Sequence, residues 1–397
     1  MAEVSSRLAR DLDLCATTKD DRRGSATLAR KIALSLASVY MTLLLLEIGV
    51  RLFYPQDLGF WDSEPFRRLA ATSPHFVENI PGAHARFLGV PVDINSFGLR
   101  DHEFAIPKPA NTVRILTVGD SVTFGYGVRL EDTYPKVLEQ LLNQTADNGA
   151  HYEVLNGAAL GGSLSDYLHF LHLRAEQIQP DIVLVGFCLN DVALYSESGA
   201  VSTASPRSHQ MAVDWIRQFN RFWLRHSQLY LLGYARLKVF LYGSGALDAN
   251  KIPDTRFLAL EAPSEYQRQA WTSTFRMLTQ IARFCLEHGY RLAVVVFPMQ
   301  MQLSAAEEDF YRYKYHLRLG TNILSGDPQL RLQQYAAASA LTLVDLRPGY
   351  VRYDSKSLYL HNEKIPSDPT HPSVLGNQVA AAEILRALQQ AGMLLIR

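Results

Sequence analysis

Cysteine is scarce in this chain. Only Cys15, Cys188 and Cys285 occur in 397 residues. An odd, sparse set with no CxxC or Cys/His spacing excludes a disulfide scaffold and a zinc module. Cys188 and Cys285 read instead as small core hydrophobes rather than as a bridge. An excess of either charge is also missing: Lys plus Arg and Asp plus Glu are 39 each. With no basic surplus to neutralise phosphates, a nucleic-acid partner is not expected. There is no HExxH, no phosphate loop and no dinucleotide fingerprint, so neither a metal nor a cofactor is expected. Internal repeats and low-complexity tracts are absent too.

What remains is globular in composition, 48% hydrophobic and 20% charged. The length suits one large domain with appendages, or two domains. Residues 1–31 are polar and charged and read as a disordered tail. From Ile32 to Val50 runs an apolar stretch whose one acid, Glu47, sits near its end. About 20 such residues suffice to span a bilayer. Arg22, Arg23, Arg30 and Lys31 precede it, which puts the N-terminus in the cytoplasm and everything after about Arg51 outside. A cleaved signal peptide and a buried soluble helix are the rival readings. Against the first, the leading region is long and no small-x-small site closely follows the apolar run. Against the second, the apolar residues encircle the helix rather than forming a stripe. The expectation is a single-pass signal anchor over 32–53 in the cytoplasmic membrane.

Residues 54–110 are rich in Pro, Gly and aromatics without clear periodicity and read as an irregular lead-in ending in Asn95–Asp101. Beyond Asn111 the pattern becomes regular. Short apolar runs at Val113–Val118, Tyr152–Leu155, Asp181–Phe187, Arg291–Phe297 and Leu341–Leu346 predict buried strands. Helical spacing occupies Glu131–Gln144, Ser163–Ile178 and, opened by a proline, Pro372–Gln390. Alternating strands and helices predict βαβ units and a mostly parallel sheet, hence a three-layer α/β/α domain over 111–397. An insertion at about 196–263 interrupts it. Trp215, Phe219, Phe222 and Trp223, followed by the Leu- and Tyr-rich stretch Leu229–Tyr242, predict a helical subdomain packing on the core. The alternative is a lid or a membrane-facing surface.

Three separated pieces carry chemistry. Gly119-Asp120-Ser121 directly follows a predicted strand, where open α/β sheets place their ligand crevice. A serine hydroxyl needs an adjacent base to become a nucleophile. Asp368-Pro-Thr-His371 offers an imidazole and, three residues earlier, a carboxylate to orient it. Taken alone, that stretch reads equally well as a loop capping the next helix. Gly161 after the second strand and Asn190 after the third offer a backbone N–H and a side-chain amide to a developing oxyanion, with Ser121 N–H as a third donor. Separately, Gly161 and Asn190 are ordinary turn residues.

In this order the blocks resemble the SGNH/GDSL hydrolase superfamily, and Asn95–Asp101 resembles a segment that precedes the domain in membrane-anchored bacterial members. The resemblance covers about Asn111 to the C-terminus. It implies a flavodoxin-like α/β/α fold and metal-free hydrolysis of ester or thioester bonds. It makes Ser121 the nucleophile, His371 the base, Asp368 its orienter, and Gly161 and Asn190 oxyanion donors. Cys188 departs from the pattern, standing where the third block usually has Gly. The substrate expected is an acyl ester: a small molecule, a lipid or an O-acylated carbohydrate. The rivals are an O-acyltransferase acting on a cell-surface polysaccharide through the same residues, and a non-catalytic envelope scaffold keeping the fold. His169 and His172, at i and i+3, lack an accompanying carboxylate at ligand spacing and read as surface or packing residues.

Overall fold

The computed structural model describes residues 30–56, 63–70, 76–145, 149–196, 207–243, 255–314, 319–321, 323–324, 326–361 and 368–394. The predicted tail, apart from its last two residues, lies outside them. The described residues fall into two compact units. One holds the N-terminal helix together with residues 207–238, and the other holds the rest.

In the larger unit, β5 (Thr112–Gly119), β6 (His151–Asn156), β7 (Ile182–Cys188), β8 (Arg291–Phe297) and β9 (Thr342–Asp345) form one sheet in the order β6-β5-β7-β8-β9. Every neighbouring pair is parallel. All residues of β5 and β7 are buried, as mostly apolar strands covered on both faces should be. Each fully buried Val, Leu, Ile or Phe contributes about 1.5–3 kcal/mol by leaving water. Helices Tyr134–Thr145, Leu164–Ile178, Glu265–Glu287, Asp327–Ser339 and Val374–Gln390 complete a three-layer α/β/α domain. In chain order the sheet reads second, first, third, fourth, fifth. The order reverses at β5, so the crevice at the carboxyl ends of β5 and β7 is the topological switch point where such sheets receive ligands.

Several expectations need adjusting. The 54–110 lead-in is not irregular throughout. It contains two antiparallel ribbons, β1 (Arg67–Leu69) with β2 (Val77–Asn79) and β3 (His84–Phe87) with β4 (Val90–Asp93). Strands of three or four residues are too short to show a period. The closing helix starts at Val374, capped by the Ser373 hydroxyl, so Pro372 precedes the cap rather than opening the helix. The insertion forms helices Arg207–His226 and Gln228–Gly243. Along the first of them, Trp215 is 71% exposed, and Phe219, Phe222 and Trp223 are exposed as well. The N-terminal helix, Arg30–Phe53, is long and apolar enough to cross a membrane. At about 1.5 Å per residue its 24 residues measure about 36 Å.

Candidate active site

β5 ends at Gly119, and Ser121 opens a one-turn helix, Ser121–Phe124. Asp120 caps that helix by accepting from Val122 N at 2.8 Å. The turn fits because two glycines vacate space for one threonine. A Cβ on Gly119 would stand 2.1 Å from Thr123 Oγ1, and one on Gly186 of β7 only 2.0 Å from it. The Ser121 turn is therefore pressed against the two central strands.

His371 comes from the loop before the closing helix. Three main-chain bonds pin that loop: Gln300 N to Pro369 O at 2.8 Å, Leu360 N to His371 O at 3.0 Å, and Ser373 N to Leu358 O at 2.8 Å. His371 Nε2 lies 2.8 Å from Ser121 Oγ, and Nδ1 lies 2.6 Å from Asp368 Oδ2. The carboxylate favours the tautomer with hydrogen on Nδ1, which leaves Nε2 to accept the serine proton. The ring of Tyr126 stacks on the imidazole, centroids 4.0 Å apart. Burial by itself would raise the Asp368 carboxyl. The adjacent His371 and the amides of Thr370 and His371, each 2.9 Å from Oδ1, outweigh it and hold the pKa below the ordinary value.

Asn190 follows β7 in the turn Leu189–Asp191. Its Nδ2 donates to Asp120 Oδ2 at 2.9 Å, while its buried Oδ1 has no partner among the described residues. An amide nitrogen carries two hydrogens, so one remains for another acceptor. Burial raises the pKa of Asp120, against the pull of Asn190, Val122 N and His371. Asp191 is raised further, by burial and by the nearby charge of Asp120. It binds Cys188 N and the Tyr167 hydroxyl, each at 3.0 Å.

Gly161 takes φ +68°, a left-handed conformation that glycine adopts freely. Its loop is tied to the Ser121 turn, because Ala159 N donates to Gly119 O at 3.1 Å. The half-buried guanidinium of Arg67 lies against it: a Cβ on Gly161 would stand 3.1 Å from Arg67 Nη2. Cys188 and Cys285 are free and buried, and burial pushes both thiols up, that of Cys285 to about 12. His169 stacks on Phe76 at 4.2 Å, and His172 packs edge-on against Phe284 at 4.6 Å.

Sequence reading missed Arg100. Its buried side chain donates to Phe124 O and Gly125 O at 2.7 Å and to Val128 O at 2.8 Å, and its guanidinium covers the Phe124 ring. Burial lowers its pKa to about 10, against the pull of Glu131 and Asp93. Next to it, Asp101 accepts from Asn156 N and pairs with Lys136, both at 2.8 Å, and Asn156 in turn donates to Thr123 O at 2.9 Å. The Asn95–Asp101 segment thus braces the Ser121 turn from behind. Its only sequence signal was the motif itself.

Residues 117–318 match the GDSL-like Lipase/Acylhydrolase family. Among solved structures, a psychrotrophic esterase from Pseudoalteromonas sp. is similar at 12% identity, covering 71% of this chain and 99% of its own, with TM-score 0.37. A lipase/acylhydrolase from Enterococcus faecalis is similar at 15% identity, covering 70% and 96%, with TM-score 0.38. An acetyl xylan esterase is similar at 14% identity, covering 70% and 100%, with TM-score 0.36. No curated protein matches the chain significantly.

Proposed function

The chain belongs to the GDSL-like lipase/acylhydrolase family of serine hydrolases acting on esters, and we propose that Ser121, His371 and Asp368 are its catalytic triad. The contact between His371 Nε2 and Ser121 Oγ, 2.8 Å across 250 residues of chain, carries the reading. In the proposed reaction Ser121 Oγ attacks the acyl carbonyl as His371 takes its proton. Asp368 holds the ring and stabilises the imidazolium. Ser121 N–H, Gly161 N–H and the free hydrogen of Asn190 Nδ2 face the oxyanion. His371 returns the proton to the leaving alcohol, and water deacylates the serine by the same route. The domain, 111–397, works outside the cytoplasmic membrane on an anchor at 32–53, with Arg30 and Lys31 on the cytoplasmic side.

A fluorophosphonate probe tests the nucleophile. It should label the full chain and fail on the Ser121→Ala variant. Absence of labelling on folded wild-type protein rules the triad out and favours a scaffold. A series of p-nitrophenyl esters of rising chain length then identifies the acyl group. An O-acyltransferase would share the acyl-enzyme and differ only in the acceptor. Partition of the acyl group between water and added oligosaccharide separates the two, and dominant transfer to sugar replaces the hydrolase reading.

A further inference from the structure

The N-terminal helix carries an acid–base pair within its apolar length. Glu47 and Arg51 join one turn apart at 2.6 Å. Both reach the junction of helices Arg207–His226 and Gln228–Gly243. Glu47 accepts from Gln228 N and Leu229 N at 2.9 Å and from the Ser227 hydroxyl at 2.8 Å. Arg51 Nη2 donates to His226 O at 3.0 Å. The anion closes the N-terminal end of one helix and the cation the C-terminal end of the other, the signs that the peptide dipoles favour. An acid inside a membrane helix is expensive unless it has partners, and here the junction supplies them.

The clasp leaves one face of Arg207–His226 uncovered. Trp215, Phe219, Phe222 and Trp223 recur at i, i+4, i+7 and i+8, a single stripe, with Ile216 at its margin. All five are exposed, from 40% at Trp223 to 71% at Trp215. The helix contains four arginines and one acid. Arginine-rich helices with a Trp/Phe face are built to lie in a bilayer interface, where aromatic rings settle at headgroup level. Glu47 is six residues from Phe53, about 9 Å along the axis, so the junction it holds sits close to where the span would leave the hydrocarbon.

We propose that helix Arg207–His226 lies flat in the surface of the same bilayer that the N-terminal helix crosses. Its Trp/Phe stripe enters the headgroup–acyl boundary, and Glu47 and Arg51 fix it at the span's C-terminal end. This rests on the membrane reading of Arg30–Phe53 and is independent of the triad.

The test uses the full chain with Cys15→Ser, reconstituted in phosphatidylcholine/phosphatidylglycerol vesicles. An environment-sensitive fluorophore is placed through Phe219→Cys, or through the controls Leu43→Cys in the span and Arg283→Cys on the exposed face of helix Glu265–Glu287. Buried Cys188 and Cys285 stay unlabelled. The probe at 219 should be quenched by a shallow spin-labelled lipid and shielded from iodide. The probe at 283 should show the reverse. Quenching by lipid at 43 but not at 219 overturns the proposal, whether water, a second copy or another protein covers the stripe. No lipid quenching at 43 overturns the membrane reading itself. Combining Glu47→Gln with Arg51→Gln should raise iodide access at 219. Unchanged access removes the clasp from the proposal.

Discussion

Asn190 gives a side-chain amide hydrogen to Asp120 at 2.9 Å, so the residue preceding the candidate nucleophile holds the candidate oxyanion donor. One buried carboxylate thereby sets two positions: Oδ1 closes the Ser121 helix through Val122 N, and Oδ2 aims Asn190.

Asn190→Ala should lower kcat by about 10²–10³-fold with little change in KM, the usual loss when one oxyanion donor is removed. Asp120→Ala should show the same signature, because it frees Asn190 and uncaps the turn. Steady-state kinetics on a p-nitrophenyl ester reads both. A rise in KM at constant kcat would remove Asn190 from the oxyanion site.

Two buried carboxyls should give opposite pH signatures. Asp191 is raised, so the native state holds its proton more tightly than the unfolded chain does. Its contribution is complete below the unfolded pKa, about 3.9, and is lost as pH rises through the folded value. Asp368 is lowered, so its contribution is present above about 3.9 and lost as pH falls through the folded value. Melting temperatures against pH should therefore show wild type losing ground to Asp191→Asn on going from acid to neutral, and gaining ground on Asp368→Asn. Parallel curves for either pair contradict the assigned shift.

Gly186→Ala should destabilise by about 1–3 kcal/mol, since its methyl group meets Thr123 inside a packed core. In a Thr123→Ala background the cost should shrink. A double-mutant cycle on thermal unfolding measures this coupling. Strict additivity would mean that the clash is relieved elsewhere.

Arg100→Ala takes a donor from four carbonyls, those of Pro91, Phe124, Gly125 and Val128, each costing about 1–3 kcal/mol if left unpaired. A lower melting temperature should accompany slower fluorophosphonate labelling of Ser121, because the bond to Phe124 O anchors the last residue of the serine's own helix. Full labelling speed in a destabilised variant would confine Arg100 to stability.

The sheet was legible because β5, β7 and β8 are largely buried and therefore spell mostly apolar runs. The candidate site blocks stood out in the sequence because each lies in a turn that follows a strand or precedes a helix, where the chemistry of the turn is local. Arg100 was hidden for the opposite reason. Its partners are main-chain carbonyls of residues 91, 124, 125 and 128, and a carbonyl has no letter in the sequence. The ribbons β1–β4 are shorter than any period. In helix Arg207–His226 the spacing was plain, but the same stripe describes a face against a core and a face toward lipid. Spacing identifies the face and leaves its neighbour open.

The bond between Ser121 and His371 spans 250 positions, and under the proposed triad this bears on when the chain becomes reactive during synthesis. A ribosome that has completed all five strands has not yet supplied the imidazole, so the unfinished protein would carry an unactivated hydroxyl. Reactivity would then begin only once the final loop docks. A chain clipped ahead of that loop would keep Ser121, lose its proposed base and stay chemically silent.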